Sequence, residues 1–235
     1  MSAFFVTSTG TGIGKTFVAA ELVRGLRSAG RSVYALKPVI TGFDPDDAAE
    51  SDTGRLLDAV GQPLTLDAIE TVSPWRFAAP LSPDMAAARE GREIDWPAML
   101  AHCRRAIERA GRETGAVALI EGIGGVMVPL DAKHTVLDWI AELRISALLV
   151  AGSYLGTLSH TLTAAGMLAA RGCSLAGVVV NESATQPVPP EETAATLERF
   201  LPSVPIVIMP RGGSAAARDR LVDLCHAARL EPCRC

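Results

Sequence analysis

A glycine-rich segment near the amino terminus constrains the fold of this chain more than any other feature. It runs from Ser8 to Thr16 with the sequence STGTGIGKT, between a short apolar run and an amphipathic stretch. The apolar run at 3–7 is predicted to be a buried β-strand, and the stretch at 15–29 an α-helix that ends before Gly30. A tight glycine turn between a strand and a helix directs backbone N–H groups toward one point, where the positive end of the helix dipole also lies. The segment therefore predicts an anion-binding loop.

Two side chains at the end of this loop indicate which anion it binds. Lys15 can reach the β- and γ-phosphates of ATP, and the Thr16 hydroxyl can bind Mg²⁺. The pattern GxxxxGK[ST] is not met in full, because Thr9 stands where its first glycine belongs. An ordinary glycine turn with a surface lysine stays an alternative, whereas a dinucleotide-binding turn is disfavoured because the spacing is not GxGxxG. We predict a phosphate-binding loop (P-loop), with ATP contacts from Gly12, Ile13, Gly14, Lys15, Thr16 and Phe17.

Beyond the loop, short apolar runs alternate with amphipathic stretches. Further buried strands are predicted at 32–37, 116–121, 146–151, 175–181 and 204–209. Helices are predicted at 95–114, 136–143, 159–171, 191–200 and 215–230. This alternation is typical of βα units on a parallel sheet. We therefore predict a three-layer α/β fold in which helices flank a mainly parallel central sheet, with a single domain over 1–235 and a short tail at 231–235.

Composition excludes several functional classes. Apolar residues make up 49% of the chain and charged residues 20%, as in ordinary globular proteins. The net charge of -4, with no basic stripe, argues against nucleic-acid binding. The apolar runs are too short to span a membrane, and no basic segment precedes the first of them as in a signal peptide. The five scattered cysteines favour reduced thiols in a cytoplasm, and Cys233 and Cys235 with His226 match no zinc-ligand spacing.

A second motif, KPVITG, follows the second predicted strand and begins at Lys37. The carboxyl ends of parallel strands border the ligand crevice of an open sheet, and Pro38 keeps Lys37 extended toward that edge. Taken alone, this position is more typical of a solvated lysine. An active-site role for Lys37 is therefore a hypothesis that needs further support.

Two carboxylates stand where they could bind a metal ion. Glu121 ends a buried apolar run and is followed by Gly122-Ile123-Gly124-Gly125, an arrangement similar to the strand-end acid and glycine loop of nucleotide hydrolases. Asp52 begins a helical stretch, where capping is its ordinary role, and Glu121 could simply meet solvent. Together with the Thr16 hydroxyl, these carboxylates supply the hard oxygen ligands that suit Mg²⁺. We predict Thr16, Asp52 and Glu121 as metal ligands.

The motifs together resemble those of the dethiobiotin synthetase family. The resemblance extends from the amino terminus to about Pro210. The segments that carry it are, in order, FVT before the loop, GIGKT, KPV with Thr41-Gly42, Ser82-Pro83, EGIGG, Leu155-Gly156 with His160, and Asn181. A P-loop alone is common to many ATPases, but its combination with KPV and EGIGG is far more specific. The chain departs from the family at Ser8 and Gly10, where glycine and aspartate are usual.

The resemblance implies an ATP-dependent ligase of biotin biosynthesis. In the family, an amine of 7,8-diaminononanoate captures CO₂ as a carbamate, which takes the γ-phosphoryl group of ATP. The second amine then attacks the mixed anhydride and closes the ureido ring, releasing ADP and phosphate. The resemblance also implies a homodimer that binds substrate near 157–160, although it assigns His160 no catalysis.

Roles for particular residues also follow from the resemblance. Lys15 and Lys37 would be the catalytic cations, and Lys37 with Thr41 would bind substrate. Asn181 would contact adenine, although an asparagine there could equally cap a turn. The remaining ATP contacts implied are Asp52, Glu121, Gly122, Ile123, Gly124 and Pro210.

Two other classes share the P-loop and remain alternatives. A related amide-forming ligase usually carries a glutaminase domain, for which 235 residues leave no room. A partitioning-type switch ATPase needs a basic amphipathic helix to bind membrane, whereas the predicted helix at 215–230 has mixed charges. The switch ATPase class also does not explain KPV.

Overall fold

The structure, a computed structural model, describes residues 3–227 and is built around parallel β-structure. The strands are β1 (Ala3–Ser8), β2 (Val33–Leu36), β3 (Val39–Thr41), β4 (Trp75–Phe77), β5 (Val117–Glu121), β6 (Ser146–Ala151), β7 (Leu175–Asn181) and β8 (Ile206–Met209). The helices are α1 (Lys15–Ser28), α2 (Asp52–Val60), α3 (Leu66–Val72), α4 (Pro83–Arg89), α5 (Trp96–Arg112), α6 (Val136–Leu143), α7 (Thr157–Ala170), α8 (Pro190–Phe200) and α9 (Ala215–Ala227). A 3-10 turn at Pro45–Asp47 precedes α2.

The main sheet has the strand order β2-β5-β1-β6-β7-β8, and each neighbouring pair is parallel. Strand β1 lies between β5 and β6, with Phe5 opposite Ile120 on one side and Ala147 on the other. The chain crosses from β1 first toward β2 and later toward β6, so the direction of winding reverses beside β1. Ligands bind at such a switch point in open α/β sheets, which places the P-loop at the crevice.

Helices cover both faces of this sheet. On one face, Phe5 packs edge-to-face on Trp139 of α6 with ring centroids 5.0 Å apart, and Met99 of α5 joins the same core. On the other face, Val6 packs in a core with Leu22 of α1. Each such fully buried side chain contributes about 2 kcal/mol by leaving water. Burial on both faces explains why the strands are continuous apolar runs, and the predicted three-layer fold is confirmed.

The region 39–89 differs most from the sequence-based prediction. It contains a second sheet, in which β3 and β4 are parallel and Val39 lies opposite Trp75. Helices α3 and α4 also lie here, and only the helical stretch at Asp52 was anticipated. Strands of three residues are too short to show periodicity, and the helices of this region have at most nine residues. This small unit has its own apolar core, which includes Ile40 and Leu57.

Smaller differences concern the ends of elements. Strand β2 ends at Leu36, so Lys37 follows the strand instead of ending it. Helix α7 begins at Thr157, two positions before the predicted start. The predicted tail at 231–235, with Cys233 and Cys235, lies outside the described residues, and the single-domain prediction for 1–235 stays a prediction. Among residues 3–227, no helix has the length and apolarity to cross a bilayer.

Candidate active site

The P-loop begins where β1 ends and leads directly into α1. Gly14 is the residue before the helix and has a left-handed backbone (φ 88°), which glycine adopts without strain. A Cβ atom at Gly14 would also clash with Nδ2 of Asn181, so any other residue here would displace the Asn181 amide. No side chain caps the N-terminus of α1. Its first backbone N–H groups therefore remain available to an anion.

Ser8 connects the P-loop to the loop that follows β5. Its Oγ lies 2.6 Å from the carbonyl oxygen of Gly10 and 2.9 Å from that of Gly124, and it accepts a hydrogen bond from Lys15 Nζ at 3.3 Å. The serine that departs from the family pattern thus orients the P-loop lysine. Burial, together with the nearby charge of Lys37, lowers the pKa of Lys15 to about 8, although the Glu121 and Asp52 carboxylates oppose this.

Lys37 lies in the centre of the site and is almost completely buried, with 2% of its side chain exposed. Its ammonium donates to Glu121 Oε1 at 2.8 Å and to the carbonyl oxygen of Gly122 at 2.7 Å, and it forms an ion pair with Asp52 Oδ2 at 3.2 Å. Burial acts to lower the pKa of Lys37, but the two carboxylates outweigh it and raise the pKa above its ordinary value. The solvated-lysine alternative is therefore wrong for this residue.

Glu121 and Thr16 complete the cluster. The Thr16 hydroxyl donates to Glu121 Oε1 at 2.7 Å, whereas Glu121 Oε2 is buried without a hydrogen-bond partner. Burial tends to raise the pKa of Asp52, but Lys37 and the Thr16 hydroxyl hold it below its ordinary value. An unpartnered buried carboxylate oxygen beside a hydroxyl and a second carboxylate fits a hard cation such as Mg²⁺.

The arrangement also explains why protein groups alone do not form a closed metal site. Within residues 3–227, no group of three or more histidines, cysteines, aspartates and glutamates could hold a metal ion. Mg²⁺ usually binds through one or two carboxylates and takes its remaining ligands from water and substrate phosphates. The predicted set of Thr16, Asp52 and Glu121 is of this kind.

A cavity of about 400 Å³ lies beside the P-loop, at the carboxyl ends of β7 and β8. Asn181 donates from Nδ2 to the carbonyl oxygen of Ile13 at 2.9 Å, while its Oδ1 is buried without a partner. Phe17 lines this cavity, as do Arg211 and Gly212, which follow Pro210. Sequence reasoning missed Tyr154, Glu182 and Arg211 among the lining residues, although each adjoins a position that it did select, because a loop has no period that shows which side chains face a cavity.

The structure brings together Lys15, Thr16, Lys37, Asp52 and Glu121, with Asn181 joined to the same loop through Ile13. Thr41, at the end of β3, is not joined to this cluster by a side-chain hydrogen bond in the described part of the chain. The backbone beside Thr41 is fixed by Gly42, whose N–H donates to the carbonyl oxygen of Ala79 at 3.2 Å.

Helix α7 begins after Gly156 (φ 99°) without a side-chain cap, beside the exposed Leu155.

Comparison with known proteins defines the class first. A family model described as an AAA domain matches residues 2–210. Among solved structures, HypB from Helicobacter pylori in complex with nickel covers 100% of this chain and 90% of its own, with a TM-score of 0.55 and 12% identity. MinD from Pyrococcus horikoshii complexed with Mg-ADP covers 96% and 95%, with a TM-score of 0.53 and 18% identity. At these identities the likeness concerns the fold alone, whereas the family model matches most of the chain and places it among proteins with this AAA domain.

Curated relatives identify the family within that class. The protein named ATP-dependent dethiobiotin synthetase BioD from Acidiphilium cryptum is 50% identical over 206 residues, which cover 87% of this chain and 91% of the relative. The proteins of the same name from Methylobacterium nodulans and Caulobacter vibrioides strain NA1000 are 48% and 45% identical, covering 92% and 97% of this chain and 96% and 100% of the relatives. The chain belongs to the dethiobiotin synthetase family, which confirms the resemblance, and these relatives support neither alternative class.

Proposed function

We propose that this chain is an ATP-dependent dethiobiotin synthetase that carboxylates 7,8-diaminononanoate with CO₂ and closes its ureido ring. The observation that carries this proposal is the buried cluster in which Lys37 meets Asp52 and Glu121 beside the P-loop. A lysine ammonium held in a fixed position at this edge of the sheet suits phosphoryl transfer, because a positioned positive charge can neutralise the negative charge on the transferring group.

The P-loop binds the triphosphate of ATP. The uncapped backbone N–H groups at the start of α1 donate to phosphate oxygens, and Lys15 contacts the β- and γ-phosphates. Triphosphate charge then restores the pKa of the Lys15 ammonium toward its ordinary value, because nearby negative charge favours the protonated form. The adenine base enters the cavity at Asn181 and the segment after Pro210, where the unpartnered Asn181 Oδ1 can accept a hydrogen bond.

The acidic side of the cluster would hold Mg²⁺. Thr16, Asp52 and Glu121 would be its protein ligands, and the ion would neutralise charge on the β- and γ-phosphates. The glycines that follow Glu121 let the backbone approach the γ-phosphate. Ser8 and Gly124 fix the distance between this glycine loop and the P-loop through their hydrogen bond.

Lys37 and Thr41 orient the other reactant. One amine of the substrate adds to CO₂, and the carbamate oxygen then attacks the γ-phosphorus as ADP leaves. Lys37 stabilises the charge that develops on the transferring group, and Thr41 positions the carbamate. The second amine attacks the carbamate carbon, the carbon–oxygen bond to the phosphoryl group breaks, and phosphate departs with the ring closed.

We also propose that the enzyme is a cytoplasmic homodimer with the active site at its interface. The N-terminus of α7 has no side-chain cap, and a helix N-terminus suits a carboxylate such as that of 7,8-diaminononanoate. Leu155 beside it is 86% exposed in the isolated chain, and burial against a second subunit would remove this apolar surface from water.

Phosphate release measured with purified protein tests the proposal. We expect release from ATP and Mg²⁺ only when both 7,8-diaminononanoate and bicarbonate are present, with dethiobiotin formed in equal amount. Phosphate release that needs neither substrate would contradict the proposal and would favour a switch ATPase.

A further inference from the structure

The ammonium group of Lys37 is enclosed by three oxygen atoms in this structure. It donates hydrogen bonds to the carbonyl oxygen of Gly122 at 2.7 Å and to Glu121 Oε1 at 2.8 Å, and it forms an ion pair with Asp52 Oδ2 at 3.2 Å. The side chain is also only 2% exposed. Lys37 therefore cannot contact a phosphoryl group or a carbamate until at least one of these contacts opens.

Two of the three oxygen atoms belong to the carboxylates that fit a divalent cation. Both oxygens lie within 3.2 Å of one nitrogen, so a metal ion that took these same two oxygens would lie close to the ammonium. Two cations at short distance in a buried site repel each other strongly. The ammonium and a metal ion therefore compete for Glu121 Oε1 and Asp52 Oδ2.

We propose that Lys37 is the resident cation of this site in the nucleotide-free protein and that it exchanges with the divalent cation when MgATP binds. The inference rests on the proposed function, which brings MgATP to the cluster. In the resting state, Lys37 neutralises two carboxylates that would otherwise face each other unpaired. On exchange it keeps the carbonyl oxygen of Gly122 and turns its released N–H groups to the transferring phosphoryl group.

Other contacts of the cluster fit an exchange of this kind. Glu121 Oε2 is buried and has no partner, so an incoming cation finds one open ligand before Lys37 moves. Asp52 is the most exposed member, with 40% of its side chain accessible, and its contact with Lys37 is the longest of the three. The link between Lys37 and Asp52 is thus the first that we expect to open.

The affinity of nucleotide-free protein for a divalent cation depends on whether Lys37 competes with that cation. If Lys37 occupies the metal position, removing its charge should strengthen binding of a divalent cation by nucleotide-free protein. If Lys37 only assists the phosphates, the change should leave that affinity unaltered. Lys15 supplies a matched control, because it is a buried lysine of the same site whose hydrogen-bond partner is the Ser8 hydroxyl and not a carboxylate.

The experiment is titration of nucleotide-free protein with Mn²⁺, followed by the electron paramagnetic resonance signal of the free ion. We expect Lys37→Met to bind Mn²⁺ at least about tenfold more tightly than wild type, and Lys15→Met to change the affinity by no more than about threefold. An equal increase in Mn²⁺ affinity in both variants would indicate a general charge effect and would overturn the proposal. An unchanged Mn²⁺ affinity in Lys37→Met would also overturn it.

Thermal unfolding keeps the test decisive if Lys37→Met folds poorly. Removing one partner of a buried ion pair is strongly destabilising, so both Lys37→Met and Lys37→Gln should melt below wild type without metal. We expect Mn²⁺ to restore much of the melting temperature of these variants while hardly changing that of wild type. No recovery at millimolar Mn²⁺ would overturn the proposal. Neither readout requires turnover, so failure of the proposed function would show separately in the phosphate-release assay.

Discussion

The two buried lysines of the site differ in their contacts, and this difference predicts different roles in catalysis. Lys15 donates to one side-chain acceptor, Ser8, at 3.3 Å, whereas Lys37 has two hydrogen bonds and an ion pair with Asp52. Lys15 can therefore bind phosphate oxygens without breaking strong contacts. Lys37 must first release one of its present partners. Its electrostatic interaction with the phosphoryl group is then strongest when charge develops during the transfer.

Replacing each lysine by glutamine separates these roles. We expect Lys37→Gln to lower kcat by about a hundredfold or more, the scale for removing one positioned electrostatic donor. ATP affinity should fall much less than in Lys15→Gln, because an interaction made mainly in the transition state contributes little to ground-state binding. Steady-state kinetics with nucleotide-binding calorimetry on both variants measures this. Turnover of Lys37→Gln within a few-fold of wild type would contradict the assignment.

Two glycines of the P-loop share a backbone conformation but differ in their surroundings. Gly12 (φ 73°) and Gly14 (φ 88°) both have left-handed backbones, so alanine strains either position by about 1 kcal/mol. Only at Gly14 would the new Cβ atom meet Asn181, at 2.2 Å from Nδ2, because nothing lies within 4 Å of a Cβ at Gly12. We expect Gly14→Ala to weaken the preference for ATP over inorganic triphosphate, and Gly12→Ala to preserve it.

Competition binding of the two anions would check this prediction. Stability measured by chemical denaturation serves as the control, since both variants should stay folded, with the larger loss in Gly14→Ala because its Cβ atom also displaces Asn181. If Gly12→Ala and Gly14→Ala changed the ratio of the two affinities equally, Asn181 would not couple the base cavity to the P-loop.

Among the secondary-structure elements, α2 positions the site although it was hardly visible in the sequence. It begins at Asp52, and Ser51 caps it by accepting a hydrogen bond from the N–H of Gly54. Strands β1 and β5 were predicted because they are long apolar runs buried on both faces. The short elements at 39–89 were not, because no period can be read from three residues. The start of α2 was nevertheless anticipated from the capping preference of Asp52, although the residue that caps the helix is Ser51.

Two helix caps allow a matched test of this element. Thr135 caps α6 through a capping box with Asp138, far along the chain from the P-loop. We expect Ser51→Ala and Thr135→Ala each to lower the free energy of unfolding by about 1 kcal/mol. Only Ser51→Ala should also impair phosphate release, because it loosens the helix start that carries Asp52. Equal activity in the two variants would show that the cap of α2 does not position the carboxylate.

The whole molecule assembles its site from segments that are distant in sequence. The hydrogen bond between Lys37 and Glu121 spans 84 residues, that between Ser8 and Gly124 spans 116, and that between Asn181 and Ile13 spans 168. Parallel strands end at one edge, so the sequence could predict that Lys37 and Glu121 would be neighbours. It could not predict which oxygens surround Lys37 or that Ser8 orients Lys15, because those contacts depend on side-chain packing across the sheet.

The proposed dimer extends this assembly to a second chain, and subunit mixing can test it. Ser159 is exposed in the first turn of α7. Ser159→Asp should preserve or slightly raise stability, because an acidic side chain is favourable near a helix N-terminus. It should raise the KM for 7,8-diaminononanoate at least about tenfold, since its charge opposes the substrate carboxylate. Sedimentation at micromolar concentration should show the dimer.

Mixed dimers then decide whether the site is shared. In a dimer of Lys37→Gln with Ser159→Asp, one active site would combine the intact Lys37 of one chain with the intact α7 of the other, while the second site would carry both changes. After unfolding and refolding the two proteins together, we therefore expect activity well above the mean of the separate variants at low substrate concentration. Activity equal to that mean, from a mixture shown to contain mixed dimers, would mean that each chain uses its own α7.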